Sequence, residues 1–258
     1  PFFPVWLLSK GMSAAEIGLI LGSATFARII FKPIIGQIAD LYGTRQPIIF
    51  ILAVLSSLCF SSYFIVDGFW IIILVTIIFN GFWSGMQPLA ESLTMLSSKQ
   101  VKIDYGRVRL WGSIAFILTA LIAGKIIGIK TDYLILILIF LFINLMVVVT
   151  LFLPKVKTKI SIIPQYPLSQ LFRNYGLIIV IFSAALIQSS HALYYSFGSI
   201  HWKTLGFSST AIGLLWAEGV VAEIILFSFG AYILRWIGAL NLIFLGGFLA
   251  MVRWFCMA

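Results

Sequence analysis

GMSAAEIGLILGSATFARIIF, residues 11–31, returns 195 positions later as GFSSTAIGLLWAEGVVAEIIL, residues 206–226. Extending the alignment without gaps sets Asp40 on Arg235 and Gly43 on Gly238. Each copy opens on a glycine and small polar residues and then runs apolar for the length of a spanning helix. Six predicted helices separate the copies, so both cross the membrane in the same direction. The chain therefore reads as two similar blocks in parallel, each built on a six-helix unit. The alignment also sets Arg28 opposite Glu223, both near mid-membrane and of opposite charge.

Composition decides the class in which such a duplication belongs. Of 258 residues, 62% are hydrophobic and only 10% charged, and the mean hydropathy is +1.12. No soluble domain of this length hides so much apolar surface, so an all-α membrane protein is expected. Apolar runs at 14–39, 47–66, 69–97, 106–128, 133–153, 176–200, 210–234 and 240–258 each have spanning length, the last being cut short. Residues 1–8 read as the last turns of an earlier helix, so the chain reads as truncated at both ends. Trp6, Trp70, Trp202 and Trp236 fall near helix ends, where interfacial anchors belong. Cys59 and Cys256 sit in apolar runs and give no disulfide framework. The net charge of +9 is scattered over loops, which does not suggest nucleic acid. No metal cluster, phosphate loop or nucleophile motif is present, so neither cofactor nor enzyme activity is expected.

One connection is longer than the rest. PKVKTKISIIPQYPLSQLFRNY, residues 154–175, holds three prolines and spaced lysines, marking a linker between a first bundle at 1–153 and the start of a second at 176–258. Lysines and arginines set the orientation. Alternate loops on one side carry Arg45, Lys99, Lys102, Arg107, Lys155, Lys157, Lys159, Arg173 and Arg235, against Lys10, Lys125, Lys130 and Lys203 on the other. The richer side, with the linker, is expected in the cytoplasm of a bacterial inner-membrane protein.

Polar residues then fall on particular helix faces. Asn80, Ser84, Gln87 and Glu91 are spaced four, three and four apart, one face of a helix in an otherwise apolar segment. Arg109, Ser113 and Phe116 share a face of the next helix, and Gln188, His191, Tyr195 and Ser199 form a third stripe. A short basic loop joins the helices of Glu91 and Arg109, so the two charges lie at similar depth, on the order of 5–10 Å inside the membrane boundary. A lone charge at a helix centre costs roughly 2.5–3.5 kcal/mol or more. A shared aqueous cavity satisfies all three stripes. A helix-pairing salt bridge for Glu91 with Arg109, and an interhelical hydrogen bond for His191, are the structural alternatives. Glu223 and Arg253, ionisable residues embedded in apolar runs, read as proton-coupling residues. Gly18 with Gly22, and Ala120 with Gly124 and Gly128, are expected to pack helices closely.

GQIADLYGTRQ, residues 36–46, resembles the signature between the second and third helices of the major facilitator superfamily, with Gly36, Asp40, Gly43 and Arg45 at its glycine, aspartate, glycine and basic positions. The resemblance implies the twelve-helix fold of that family, of which this chain carries the end of helix 1 through part of helix 9. It also implies that the loop ties neighbouring helices together during the conformational switch, although Gln46 departs from a fully basic ending. DYGRVRLWGSIAF (104–116), HALYYSFGSIHWKTLGFSSTAIGLLWAEGVVAEII (191–225) and VRW (252–254) are similar to the 3-phenylpropionate (hydrocinnamate) branch, which is related to lactose permease-type proton symporters. In lactose permease an acid on the fourth helix and an arginine on the fifth, eighteen positions apart, bind the sugar, and Glu91 and Arg109 have that spacing. By the same resemblance Arg253 matches a ninth-helix arginine of proton coupling, and Glu223 lies about one turn from the place of an eighth-helix glutamate. Phe116 stands in place of a sugar-stacking tryptophan and Gln188 in place of an acid, which argues against a galactoside.

The expected function is proton symport of a small organic solute by alternating access, with an aromatic carboxylate such as 3-phenylpropionate implied by the resemblance. Glu91, Arg109, Ser113, Phe116, Gln188, His191 and Tyr195 are the expected substrate residues. Nucleoside or sugar symport, and a non-transporting membrane assembly factor on the same fold, are the alternatives. The partners implied are substrate, proton and bilayer, and the oligomeric state is left open.

Overall fold

The computed structural model describes residues 2–101, 105–127, 133–156 and 173–257. Among the described residues there are ten helices and no β-strand: α1 (Phe3–Ser9), α2 (Ala14–Tyr42), α3 (Gln46–Ser61, continued by a 3-10 turn over Ser62–Phe64), α4 (Phe69–Val101), α5 (Tyr105–Ile127), α6 (Tyr133–Thr150), α7 (Tyr175–Thr204), α8 (Ser209–Ser228), α9 (Gly230–Ile237) and α10 (Ala239–Met257). Five segments are long and apolar enough to cross a bilayer: Ala14–Tyr42, Gln46–Phe64, Phe69–Ser97, Tyr133–Thr150 and Tyr175–Thr204. Large apolar side chains such as Phe26, Ile29, Leu58, Leu141 and Phe244 stand exposed on the outside of the bundle. A hydrocarbon surrounding is what makes that surface stable.

The repeat in the sequence is a repeat in the backbone. α2 begins after Gly11, at φ +80°, and ends at Gly43, at φ +64°. The second copy begins after Gly206, at φ +86°, and ends at Gly238, at φ +78°. Only glycine enters this left-handed region at little cost, so the same residue recurs where the same reversal is needed. The caps match as well. Ser13 Oγ accepts from the Glu16 amide at 3.3 Å, and Ser208 Oγ accepts from the Ala211 amide at 3.2 Å. In the first copy Glu16 Oε2 also accepts from the Ser13 amide at 2.8 Å, completing a capping box.

Between these ends the copies differ. α2 runs 29 residues unbroken through Pro33, about 43 Å. The expected single run at 210–234 instead breaks at Phe229 into α8 and α9. Ser228, which aligns with Pro33, turns its hydroxyl back on the Ile224 carbonyl at 2.8 Å, and Gly230 follows. Both features loosen a helix at that point.

The first bundle centres on α4, which packs along α2 and α3, while α3 packs in turn on α6. Close approach of α2 and α4 depends on Gly81 and Gly85. A Cβ at Gly85 would sit 2.5 Å from Ile35 Cγ2, and one at Gly81 would sit 3.2 Å from the Phe31 ring. Sequence spacing missed this pair and instead chose Gly18 with Gly22, yet Gly22 has nothing within 4 Å. Two of the four tryptophans expected at helix ends pack inward against other rings. Trp6 is 2% exposed among Phe3 and Tyr63, and Trp202 packs edge-on to Tyr194 and Trp216. Trp70 and Trp236 are exposed, as an interfacial role requires.

Helices on either side of the expected linker touch through α5 with α8 and through α1 with α7. At the α5–α8 crossing a Cβ on Gly124 would fall 2.6 Å from the Ser209 carbonyl oxygen, and one on Gly213 would fall 2.7 Å from the Ala120 carbonyl oxygen. Backbone lies on backbone there, as the Ala120–Gly124 spacing suggested. Gly128 and residues 157–172 of the expected linker lie outside the described residues.

Candidate functional site

The polar stripe on α4 divides into two halves. Asn80 and Ser84 are buried. Arg28, reaching from α2, donates from both Nε and Nη2 to Asn80 Oδ1 at 2.9 and 2.7 Å. Asn80 Nδ2 donates to the Thr76 carbonyl at 2.9 Å, and the Thr76 hydroxyl bonds the Tyr63 hydroxyl at 2.7 Å. This half of the stripe is spent on hydrogen bonds that link α2, α4 and the turn after α3. The other half is open. Gln87 is exposed, Glu91 is half-buried, and Gln87 Nε2 donates to Glu91 Oε1 at 3.2 Å. On α5, Ser113 is half-buried and Phe116 is 39% exposed. Arg109 lies within α5, but its side chain is outside the described residues.

The third polar stripe lies on α7. Gln188 is exposed and His191 half-buried. His191 Nδ1 lies 2.8 Å from the Ile187 carbonyl and 3.2 Å from Ser190 Oγ. A carbonyl only accepts, so Nδ1 is the donor in that contact. Next along this face, Tyr195 is 53% exposed and stacks on Trp216 of α8, with centroids 5.6 Å apart and planes 16° from parallel. Trp216 is itself buried and donates Nε1–H to Ser199 Oγ at 2.9 Å. Ser199 is thus consumed in seating Trp216, and Tyr195 presents a flat ring backed by a fixed one.

Tyr194 extends this aromatic wall, 5.0 Å from Trp216 and 5.6 Å from Trp202. Over its face lies the guanidinium of Arg253 from α10, 5.0 Å from the ring centroid and 5.4 Å from that of Trp254. Arg253 Nε and Nη2 are buried and have no hydrogen-bond partner among the described residues. Sequence reasoning selected Arg253 but not Tyr194, which is 59 positions away on another helix. Glu223 is half-buried on α8.

In the α2–α3 loop Arg45 Nη2 donates to Asp40 Oδ1 at 3.1 Å, and Gly43 forms the left-handed helix end. Gly36 lies within α2, half-buried, with open space around its α-carbon. Gln46, where the resemblance led to a basic residue, is buried and donates Nε2 to the Thr150 carbonyl at 3.0 Å. The loop is thereby tied to the last turn of α6. At the other end of the bundle Lys10 Nζ meets Asp67 Oδ1 at 2.6 Å. A recess of about 260 Å³ there, lined by Lys10, Met12, Glu16 and Asp67 among others, shares no residue with the expected sites. Among the described residues no three His, Cys, Asp or Glu side chains group as a metal centre requires.

The whole chain, residues 1–258, matches the MFS_1-like family. It belongs to that family. The relatives of this family member include the "Probable 3-phenylpropionic acid transporter" of Escherichia coli (strain K12), 31% identical over 98% of this chain and 68% of that protein. The "Uncharacterized transporter YwbF" of Bacillus subtilis (strain 168) is 23% identical over 94% of the chain and 61% of its own length. Among solved structures, the nucleoside transporter NupG superposes with a TM-score of 0.71 at 17% identity, over 92% of this chain and 63% of that one. That likeness establishes the fold alone. The protein is an all-α, multi-pass membrane transporter of the major facilitator fold, similar to bacterial transporters.

Proposed function

We propose that the protein carries an aromatic carboxylate across the membrane by proton symport, with 3-phenylpropionate as the representative substrate. The observation that carries this reading is the flat wall of Tyr195 on buried Trp216, with His191 and Gln188 on the same helix face and a guanidinium at the neighbouring Tyr194. An aryl ring stacks on such a surface, and a carboxylate is drawn to the charge beside it. The relative named for 3-phenylpropionic acid supports the same class.

In this reading Arg109, on the opposite bundle, holds the carboxylate through its planar fork, and Glu91 orients Arg109. Ser113 and Phe116 line the path from α5, and Gln188, His191 and Tyr195 line it from α7. Glu223 is the proton-accepting group, and Arg253 supplies a fixed charge in the same half of the chain. The blocks rock about the site, with the α5–α8 crossing closed at the outer face in this state and Gly36, Asp40, Gly43 and Arg45 forming the inner hinge loop.

The test is uptake of radiolabelled 3-phenylpropionate into proteoliposomes of the whole protein under an imposed pH gradient, with nucleosides and galactosides as competitors. Saturable accumulation that collapses with the gradient, resists both competitors and falls at least tenfold in Glu91→Gln and Arg109→Lys is expected. Undiminished accumulation in both variants removes them from the site, and competition by a nucleoside reassigns the substrate.

A further inference from the structure

Two arginines within helices, Arg28 of α2 and Arg253 of α10, present the same edge of the guanidinium to very different surroundings. Nε and Nη2 lie side by side on that edge, and together they match the two oxygens of a carboxylate. In Arg28 both atoms are taken by one carbonyl oxygen, that of Asn80. In Arg253 the same two atoms are buried and have no acceptor among the described residues. The face of the Arg253 guanidinium is occupied, since it lies over Tyr194, so its attraction to the ring is already used while its edge remains unfilled. Water does not reach the two atoms either. A charged donor edge cut off from water and protein alike is costly, and an incoming acceptor removes that cost.

Resting on the aromatic-carboxylate reading above, we infer that Arg253 is a substrate-binding residue, whose Nε–Nη2 edge takes the carboxylate of an acid with its ring on the Tyr194–Tyr195–Trp216 wall. The edge is shut in the present arrangement, so the guanidinium slides off Tyr194 as the acid arrives, a side-chain rearrangement of the kind common on binding. The wall itself need not move, because Trp216 is seated by Ser199 and Tyr195 by Trp216. The site therefore selects for a planar ring joined to an anion. It places the anion anchor on the second bundle, where Arg109 alone would place it on the first.

The inference separates from a purely proton-coupling role by equilibrium binding. Titration calorimetry on the purified whole protein compares 3-phenylpropionate with its neutral analogue 3-phenylpropan-1-ol, and counterflow in proteoliposomes without a pH gradient is measured in parallel. Arg253→Gln is expected to weaken the acid about 10- to 100-fold, to leave the alcohol within about twofold, and to abolish counterflow. Arg253→Lys keeps the charge but cannot offer the paired edge, and is expected to fall between wild type and Arg253→Gln. Acid binding and counterflow at wild-type levels in Arg253→Gln, with only gradient-driven accumulation lost, would falsify the assignment and leave Arg253 in proton coupling. If Arg253→Gln does not fold, Arg253→Lys decides, and acid affinity equal to wild type there overturns the inference. Failure of the wild-type protein to bind the acid removes the aromatic-carboxylate reading itself and this inference with it. Wild-type binding that Arg253 variants leave unchanged removes only the latter.

Discussion

The two copies of the repeat share their ends and differ in their middles. Glycines at φ +80° and +86° open them, serines cap them, and glycines at φ +64° and +78° close them. Midway, the first copy is one helix through Pro33 with Arg28 locked onto Asn80, while the second breaks at Phe229 and carries Glu223. The ends are fixed by backbone geometry that only certain residues tolerate, whereas the middles differ in their breaks, their charges and their partners. A duplicated scaffold has thus kept its frame and assigned opposite charges to equivalent positions.

The sharpest way to break this comparison is at the charged pair. Glu223→Gln is expected to lower gradient-driven accumulation of 3-phenylpropionate at least tenfold while sparing counterflow, whereas Arg28→Gln lowers thermal stability with accumulation retained in proportion to folded protein. Equal transport defects in the two variants would show that the middles share one role. The next largest effect separates two aligned glycines, Gly18 and Gly213. A methyl group at Gly213 meets the Ala120 carbonyl at 2.7 Å, but one at Gly18 meets only the Phe197 ring at 3.7 Å. Gly213→Ala is expected to destabilise by about 1–3 kcal/mol and Gly18→Ala by a few tenths at most, about the level of an ordinary surface change. Chemical denaturation in detergent measures both.

Asn80→Leu removes the acceptor that Arg28 uses and the side-chain bond to the Thr76 carbonyl, which keeps only its helix hydrogen bond. A cost of about 1–3 kcal/mol is expected, read as a lowered unfolding temperature, and an unchanged temperature would detach Arg28 from the bundle's stability. The smallest effect compares the caps. Ser13→Ala, which dismantles a reciprocal capping box, is expected to cost about 1 kcal/mol, and Ser208→Ala, which removes one bond, about half as much. Amide exchange at the first turns of α2 and α8 resolves the two.

What the sequence discloses follows the same division. The repeat, the spans and the turn glycines are legible because each is set by neighbours along the chain: a run of apolar residues, or a residue type that alone fits a turn. The stripe on α4 is legible as a face, but spacing on one helix does not say which neighbour that face meets. Asn80 and Ser84 therefore turned out to be sealed, and Gln87 with Glu91 open. Gly81 and Gly85 escaped notice because their value lies in Phe31 and Ile35 of another helix. Arg253 over Tyr194, and Trp216 on Ser199, are likewise meetings between helices that no local pattern encodes. The split of α8 from α9 has a local cause in Ser228 and Gly230, but one too weak to outweigh an unbroken apolar run.

The crossing of α5 and α8 brings together Ala120, Gly124, Ser209 and Gly213, positions with almost nothing beyond the main chain to rearrange. A seam of long side chains can loosen one rotamer at a time and leak by degrees. A seam of bare peptide has no such intermediate positions: it is shut, or the helices have parted as rigid rods. Any movement at this joint has to carry whole helices.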